Sequence, residues 1–141
     1  MSEYRPISQL PWQVTEDEFL EEARGVGPGG ACCAFVIDVS IPQSARSGYA
    51  ALVIAYARAD EPVCIQPDGS AILLVRDGGA DAGRVVARRI LDQMRRLALD
   101  QTLHAAVVPI AADPATAMSD ARAAAEAAAP GTIPGSGPSP G

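Results

Sequence analysis

The stretch that decides the fold is PVCIQPDGSAILLV, residues Pro62–Val75. Two short apolar runs flank a Pro-Asp-Gly tripeptide at positions 67–69. Proline presets the first position of a tight turn, and glycine accepts a left-handed backbone, so this tripeptide is typical of a hairpin. The sequence therefore predicts two strands, Val63–Gln66 and Ser70–Arg76, joined by this turn.

The segments on either side of the hairpin extend the pattern. Ala31–Val39 is almost continuously apolar, which indicates a central strand buried on both faces. It carries Asp38 near its end. Apolar residues at helical spacing predict helices over Ser44–Arg58 and from about Asp81 to Leu99. Another apolar run, Leu103–Ala111, predicts a further strand.

Capping signals place the remaining helices. Thr15 and Glu18 form a capping box for a helix that ends near Arg24. Asp113 followed by proline begins an alanine-rich helix that ends near Ala128. The resulting order predicts an α+β domain of ferredoxin-like type, with a mainly antiparallel central sheet and helices packed on one face of it. The expected organisation is an extended lead-in over 1–13, the domain over 14–128 and a disordered Gly/Pro/Ser-rich tail over 129–141.

Composition excludes several classes of protein. The chain has 141 residues with a net charge of −6, so a nucleic-acid partner is not expected. The chain has 11 arginines and no lysine, which removes a P-loop or Schiff-base lysine. No leader and no run of about 18 apolar residues is visible, so a cytoplasmic protein without a membrane partner is expected. Three cysteines with only His104 beside them predict buried thiols rather than a disulfide framework or a zinc site.

Several short motifs resemble the GGDEF (diguanylate cyclase) family. They are Leu10-Pro11 followed by Phe19, the strand end Ile37-Asp38-Val39, the hairpin Gln66–Ser70 at the position of the family signature, and Ser119-Asp120-Ala121 in the last helix. The resemblance implies a nucleotide-cyclase palm and a bacterial signalling protein. It also implies that Asp38 and Asp68 correspond to the family's metal-binding carboxylates, which would hold Mg²⁺.

The chain departs from the family at most of the active site. The second acid of the first strand is Ser40, the paired glycines of the signature are Gln66 and Pro67, and its glutamate is Gly69. The resemblance therefore implies a retained fold without catalysis, and at most a weakly held Mg²⁺ on Asp38 and Asp68. A plainer interpretation stays open, in which one aspartate serves the turn and the other is an ordinary polar residue at a strand end.

A catalytically inactive domain would act by binding a protein partner or itself. The helix from Asp81 to Leu99 carries five arginines that the periodicity places on its outer side, and Arg84, Arg88 and Arg95 are the candidates for partner contact. A merely solvated helix face is the competing explanation. The alternative function is a nucleotide-binding sensor or a diverged nucleotidyl cyclase that uses Asp38 and Asp68 for metal. His104 begins a strand with no visible catalytic partner.

Overall fold

A computed structural model of the chain describes residues 13–58 and 60–134. Five strands, four α-helices and one short 3₁₀ helix form in this part of the chain, and they agree with the predicted order apart from an extra two-residue first strand and the 3₁₀ turn. In chain order they are β1 (Gln13–Val14), α1 (Glu16–Val26), β2 (Ala31–Ile37), α2 (Gln43–Tyr56), β3 (Val63–Ile65), β4 (Ala71–Val75), α3 (Gly79–Arg96), the 3₁₀ helix (Asp100–Thr102), β5 (Leu103–Pro109) and α4 (Pro114–Ala127).

The five strands form one mixed sheet in the order β1-β3-β4-β2-β5. β2 pairs antiparallel with both β4 and β5, and β3 pairs antiparallel with β4. Only the two-residue β1 runs parallel to its neighbour β3. All seven residues of β2 are buried. The expected α+β fold, the mainly antiparallel sheet and the central position of β2 are therefore confirmed.

Helices cover both faces of this sheet. Alternate residues of β2 point to opposite sides, so Cys33 and Phe35 enter one apolar cluster whereas Cys32 and Ala34 enter another. The first cluster contains the inner residues of α2 and α3, and the second contains those of α1 and α4. The expectation of helices on one face is therefore wrong. The alternating strand residues are apolar on both sides, and each apolar face must be covered.

The hairpin forms as the Pro-Asp-Gly signal predicts. The Gly69 amide donates to the Gln66 carbonyl at 2.8 Å, and the Gln66 amide donates to the Ser70 carbonyl at 2.7 Å. Gly69 has φ +89°, and a β-carbon there would lie 3.0 Å from Cβ of Arg46. Glycine is required at this position both by the backbone conformation and by the close approach of α2.

The predicted helix starts are confirmed in atomic detail. Thr15 and Glu18 form the reciprocal capping box of α1, and the Asp113 carboxylate accepts from the Ala115 amide at the start of α4. The predicted lead-in over 1–13 lies outside the described residues except for Gln13, which belongs to β1. In the described part of the chain, no helix is both long enough and apolar enough to cross a bilayer.

The segment after α4, which the sequence predicts to be disordered from residue 129, is ordered as far as Ile133. The Gly131 amide donates to the Leu103 carbonyl at 2.9 Å, and Ile133 is only 4% exposed. Ile133 joins the cluster under α2 and α3, whereas α4, which leads into it, packs in the other cluster. Residues 128–133 therefore pass around the β5 edge and contribute to the core. The rest of the predicted tail, 135–141, lies outside the described residues.

Candidate functional site

Asp38 and Asp68 line one cleft, although they are distant in sequence. Asp38 directly follows β2, and Asp68 sits in the turn between β3 and β4. The cleft has a volume of about 600 Å³ and is also lined by three basic side chains, Arg46, His104 and Arg122. The antiparallel pairing of β2 with β4 explains the proximity, because it brings the end of β2 beside the hairpin turn.

Asp68 is oriented by a buried serine and held by an arginine. The Ser70 amide and hydroxyl both donate to the Asp68 carboxylate at 3.1 Å, while the Ser70 hydroxyl oxygen accepts from the Ile37 amide. From α4, Arg122 donates with both terminal nitrogens to the two oxygens of Asp68, at 3.1 and 2.6 Å. This forked contact, together with Ser70, lowers the pKa of Asp68 to about 2.

Asp38 has a different basic partner. Its Oδ2 atom accepts from the Ser40 hydroxyl at 2.5 Å and from the Ser40 amide at 3.0 Å, while its Oδ1 atom lies 2.7 Å from Nε2 of His104. The serine hydrogen bonds, with the His104 contact, lower the pKa of Asp38 to about 2. Ser40 therefore helps to hold Asp38 in its ionised form.

Both ring nitrogens of His104 face hydrogen-bond acceptors. Nδ1 lies 2.8 Å from the Ala128 carbonyl oxygen, and Nε2 contacts the Asp38 carboxylate. Only the imidazolium ion donates from both nitrogens, so this geometry favours the charged ring. Burial of the ring opposes that charge, but the hydrogen bonds to Asp38 and Ala128 outweigh it and raise the pKa of His104. The ring has no free nitrogen with which to act as a general base.

Arg46 connects the loop that carries Asp38 with the hairpin turn that carries Asp68, through backbone atoms of both. Its guanidinium donates to the carbonyl oxygens of Ile41, Asp38 and Asp68, at 3.2 to 3.3 Å. The side chain is 12% exposed, and its Nη1 atom lies 3.9 Å from the Asp68 carboxylate. A planar group with donors in three directions can hold both loops at once. Arg46 thus links the two loops that the pairing of β2 with β4 brings together.

The side chains of this cleft are not arranged to coordinate a divalent cation. A magnesium ion needs free carboxylate oxygens in an octahedral shell, whereas His104 and Arg122 already contact the carboxylates of Asp38 and Asp68. Among the residues that the structure describes, no three His, Cys, Asp or Glu side chains gather in a way that could hold a metal ion. The arrangement is that of two internal ion pairs joined by Arg46.

The three arginines predicted for partner contact lie in different surroundings on α3. Arg84 pairs with Asp81 within the helix, and Arg88 also has a bonding partner. Arg95 is 67% exposed, with its nearest carboxylate, Asp100, at 3.9 Å. Arg89 does not lie on the open outer side as predicted, because it makes a half-buried ion pair of 2.6 Å with Glu61.

The cysteines are not reactive groups. All three are buried and free, as predicted from their number and spacing. Burial raises the pKa of Cys64 to about 11 and that of Cys32 to about 12. Thiols that remain protonated in an apolar core are poor nucleophiles and poor metal ligands.

The sequence interpretation missed the basic half of this site. His104 was expected to lack a partner, and Arg46 and Arg122 were not identified at all. The pairing of β5 with β2 places His104 opposite Val36, two residues before Asp38, but this pairing joins segments that are far apart in the chain. Nothing local marks Arg122, which reaches Asp68 over 54 positions of the chain.

These ion pairs predict a stability that depends on pH. The unfolded pKa of histidine is about 6.5 and that of aspartate is about 3.9. Because the folded pKa of His104 is raised, its stabilisation is complete below about pH 6.5 and is lost as the pH rises through the folded value. Because the pKa of Asp68 is lowered to about 2, its stabilisation is lost as the pH falls from about 4 towards that value. Urea midpoints measured across this range should be highest between the two limits.

The variant His104→Gln tests whether His104 causes the loss of stability at alkaline pH. Glutamine does not titrate, so its urea midpoint should remain level between about pH 6 and about pH 9, while that of the wild type falls. Asp38, Asp68, Glu126, Arg46 and Arg122 line the same cleft and are unchanged in the variant. Parallel pH profiles for the two proteins would contradict the assignment of the charged ring.

Comparison of the chain with protein-family models, with curated proteins and with solved structures finds no match.

Proposed function

We propose that this protein is a catalytically inactive, GGDEF-like domain that acts in the cytoplasm by binding protein. One observation carries the proposal. The two carboxylates that correspond to the family's metal ligands, Asp38 and Asp68, are each neutralised by a basic side chain of the chain itself. An acid held in this way stabilises the fold, and it is not available to bind a metal–triphosphate complex.

The topology supports a ferredoxin-like, nucleotide-cyclase palm as the core of the domain. From β2 to β5 the chain runs β-α-β-β-α-β, which is the succession of the split βαβ fold. The four strands of this unit are all antiparallel to their neighbours, and β2 lies between β4 and β5. In this interpretation α1 and α4 are additions that cover the second face.

The hairpin supports the loss of catalysis. Glycines in the family signature let a nucleotide approach the backbone, but Pro67 removes an amide donor here and Gln66 contributes a side chain. The Gln66 side chain is itself occupied, since its Oε1 accepts from Arg122 at 2.6 Å. The hairpin therefore turns the side chains of Gln66 and Asp68 towards Arg122 of α4.

The outer side of α3 is the surface that we propose for protein contact. Its last turn presents Arg95 and Arg96 to solvent, and two apolar residues of the same region are also uncovered, Val85 at 69% and Leu97 at 47% exposure. Arginine combined with exposed aliphatic side chains is typical of protein interfaces, since guanidinium makes forked contacts to carboxylates.

We expect no cyclic di-GMP to form when the protein is incubated with GTP and either Mg²⁺ or Mn²⁺. The products would be separated by chromatography, with an active diguanylate cyclase as the positive control. The variant Asp68→Ala should be indistinguishable from the wild type. Turnover by the wild type that disappears in Asp68→Ala would refute the proposal, because it would show that the acid acts on substrate.

The size of the cleft favours a second candidate function, a nucleotide-binding sensor. A volume of about 600 Å³ lies within the range of small-molecule sites. Thermal melting with GTP, ATP and cyclic dinucleotides, each with and without Mg²⁺, separates the two candidates. A rise in Tm for one nucleotide, absent in an Arg122→Met variant, would favour the sensor. Unchanged melting with every nucleotide would favour the protein-binding function.

A further inference from the structure

The helices on the two faces of the sheet carry opposite charge. On one face, α1 contains five acidic residues and one arginine, and α4 contains two acidic residues and one arginine. On the other face, α3 contains five arginines and two aspartates, and α2 adds Arg46. The helix pairs therefore have net charges of −5 and +4, in a chain whose total is −6. The outer helices α1 and α3 therefore carry net charge of opposite sign, although Arg46 and Arg89 are largely buried beside Asp68 and Glu61.

Exposed charges lie on the outer sides of α1 and α3. On α1, Asp17 and Glu21 are one helical turn apart and point away from the buried Phe19 and Ala23. The Glu21 side chain is 82% exposed. On α3, Arg95 and Arg96 end the helix beside Leu97. These side chains are available to another molecule without any rearrangement of the core.

We infer that the partner of the α3 surface is a second copy of this chain, which docks the acidic outer side of α1. This inference rests on the proposed function, namely action by association. Charge complementarity singles out a second copy because every molecule carries both surfaces. Since the two surfaces lie on opposite faces of one sheet, a molecule cannot use them on each other. The contact is head-to-tail, and it leaves both ends free to add further copies.

An interface of this kind is sensitive to salt. The Debye length is about 30 Å at an ionic strength of about 0.01 M and about 8 Å at about 0.15 M, so attraction between exposed faces fades as salt is added. Sedimentation equilibrium of the full chain at low salt should therefore show a weight-average mass that rises with protein concentration. The same protein at high salt should approach the monomer mass of 14.5 kDa.

Two charge-reversal variants test the contact between the α1 and α3 surfaces. In R95E/R96E both surfaces are acidic. In D17R/E21R the net charge of α1 falls to zero, and the side of α1 that carried Asp17 and Glu21 becomes basic like the α3 surface. Each variant alone should associate at least about tenfold more weakly than the wild type, because like charges now meet. An equimolar mixture should associate again, since each variant then finds an oppositely charged surface on the other. Unchanged melting temperatures would show that both variants are folded.

A matched pair of single variants controls for net charge. Arg24 and Arg95 have similar side-chain exposure, 57% and 67%, and each lies near one carboxylate. Arg24→Glu and Arg95→Glu change the net charge equally, but only the second removes charge from the α3 surface. Arg24 pairs with Glu21 on the acidic surface, so Arg24→Glu adds negative charge there. We expect Arg95→Glu to weaken association and Arg24→Glu to maintain or strengthen it.

Three outcomes would overturn the inference: a wild-type protein that stays monomeric at low salt, reversed variants that associate as the wild type does, or a mixture that fails to recover association. Binding of α3 to an unrelated acidic protein by a wild type that remains monomeric would overturn it as well, while leaving the proposed function intact. Failure of the proposed function itself would appear separately, as GTP turnover.

Discussion

Replacing Arg46 with methionine is expected to lower the free energy of unfolding by about 3 kcal/mol, and Tm by roughly 10 °C. Methionine keeps most of the apolar stem but none of the donors. Three carbonyl oxygens, those of Ile41, Asp38 and Asp68, would then lose their shared partner. Hydrogen bonds from a charged donor are stronger than neutral ones. The loss of unfolding free energy should therefore be larger than for a typical substitution at a partly exposed residue.

A lysine at the same position separates charge from geometry. Arg46→Lys keeps the positive charge near Asp68, but a single ammonium group on a flexible chain does not reach three carbonyls in different directions. We therefore expect Arg46→Lys to recover less than half of the lost stability in urea unfolding. The matched control is Arg24→Met, which removes an exposed pair with Glu21 and should cost less than about 0.5 kcal/mol. Full recovery by lysine would show that only the charge matters.

The second large effect is expected at Ile133. The substitution Ile133→Ala should cost about 2 to 4 kcal/mol, because a side chain that is only 4% exposed leaves a cavity in the cluster under α2 and α3. Removal of residues 133–141 should destabilise the domain at least as much. Thermal melting followed by circular dichroism measures both changes.

Two comparisons show that the effect belongs to Ile133. Val85→Ala removes aliphatic carbon from a side chain that is 69% exposed, and it should change stability by less than about 0.5 kcal/mol. A second truncation that begins at residue 135 keeps Ile133 and should therefore be more stable than the truncation at 133. Equal melting temperatures for Ile133→Ala and the wild type would mean that the segment after α4 adds nothing to the core.

The tail shows where reasoning from composition fails. Residues 129–141 contain repeated glycine, proline and serine, and such a segment does not bury enough surface to order itself. One isoleucine changes that balance, because it enters a core that α2, α3 and the sheet have already built. The Gly131 amide also finds the carbonyl of Leu103 at the edge of β5. Local composition does not contain this information, since the core is assembled from distant residues.

In the candidate site, too, some residues could be found from the sequence and others only from the structure. Asp38 and Asp68 could be selected from the sequence because the short motifs that carry them, a strand end and a Pro-Asp-Gly turn, resemble motifs of a known family. Their basic partners could not, since His104 lies 66 positions from Asp38 and Arg122 lies 54 positions from Asp68. The role of Ser70 was also hidden. A serine directly after a turn glycine is typical of an exposed turn. Ser70, however, is fully buried, and its hydroxyl oxygen accepts a hydrogen bond from the Ile37 amide of β2.

By itself, the sequence determined the elements of the fold, the hairpin turn, the helix caps and the central position of β2. The turn and the caps depend on interactions within a few residues, such as the hydrogen bond from the Gly69 amide to Gln66 or the reciprocal bonds of Thr15 and Glu18. The central position of β2 was indicated by its continuous apolar run. Only the tertiary structure decided which charges meet, that helices cover both faces of the sheet, and that the acidic and basic helices lie on opposite sides. Those features depend on contacts between distant segments, which form only when β2 is enclosed on both faces.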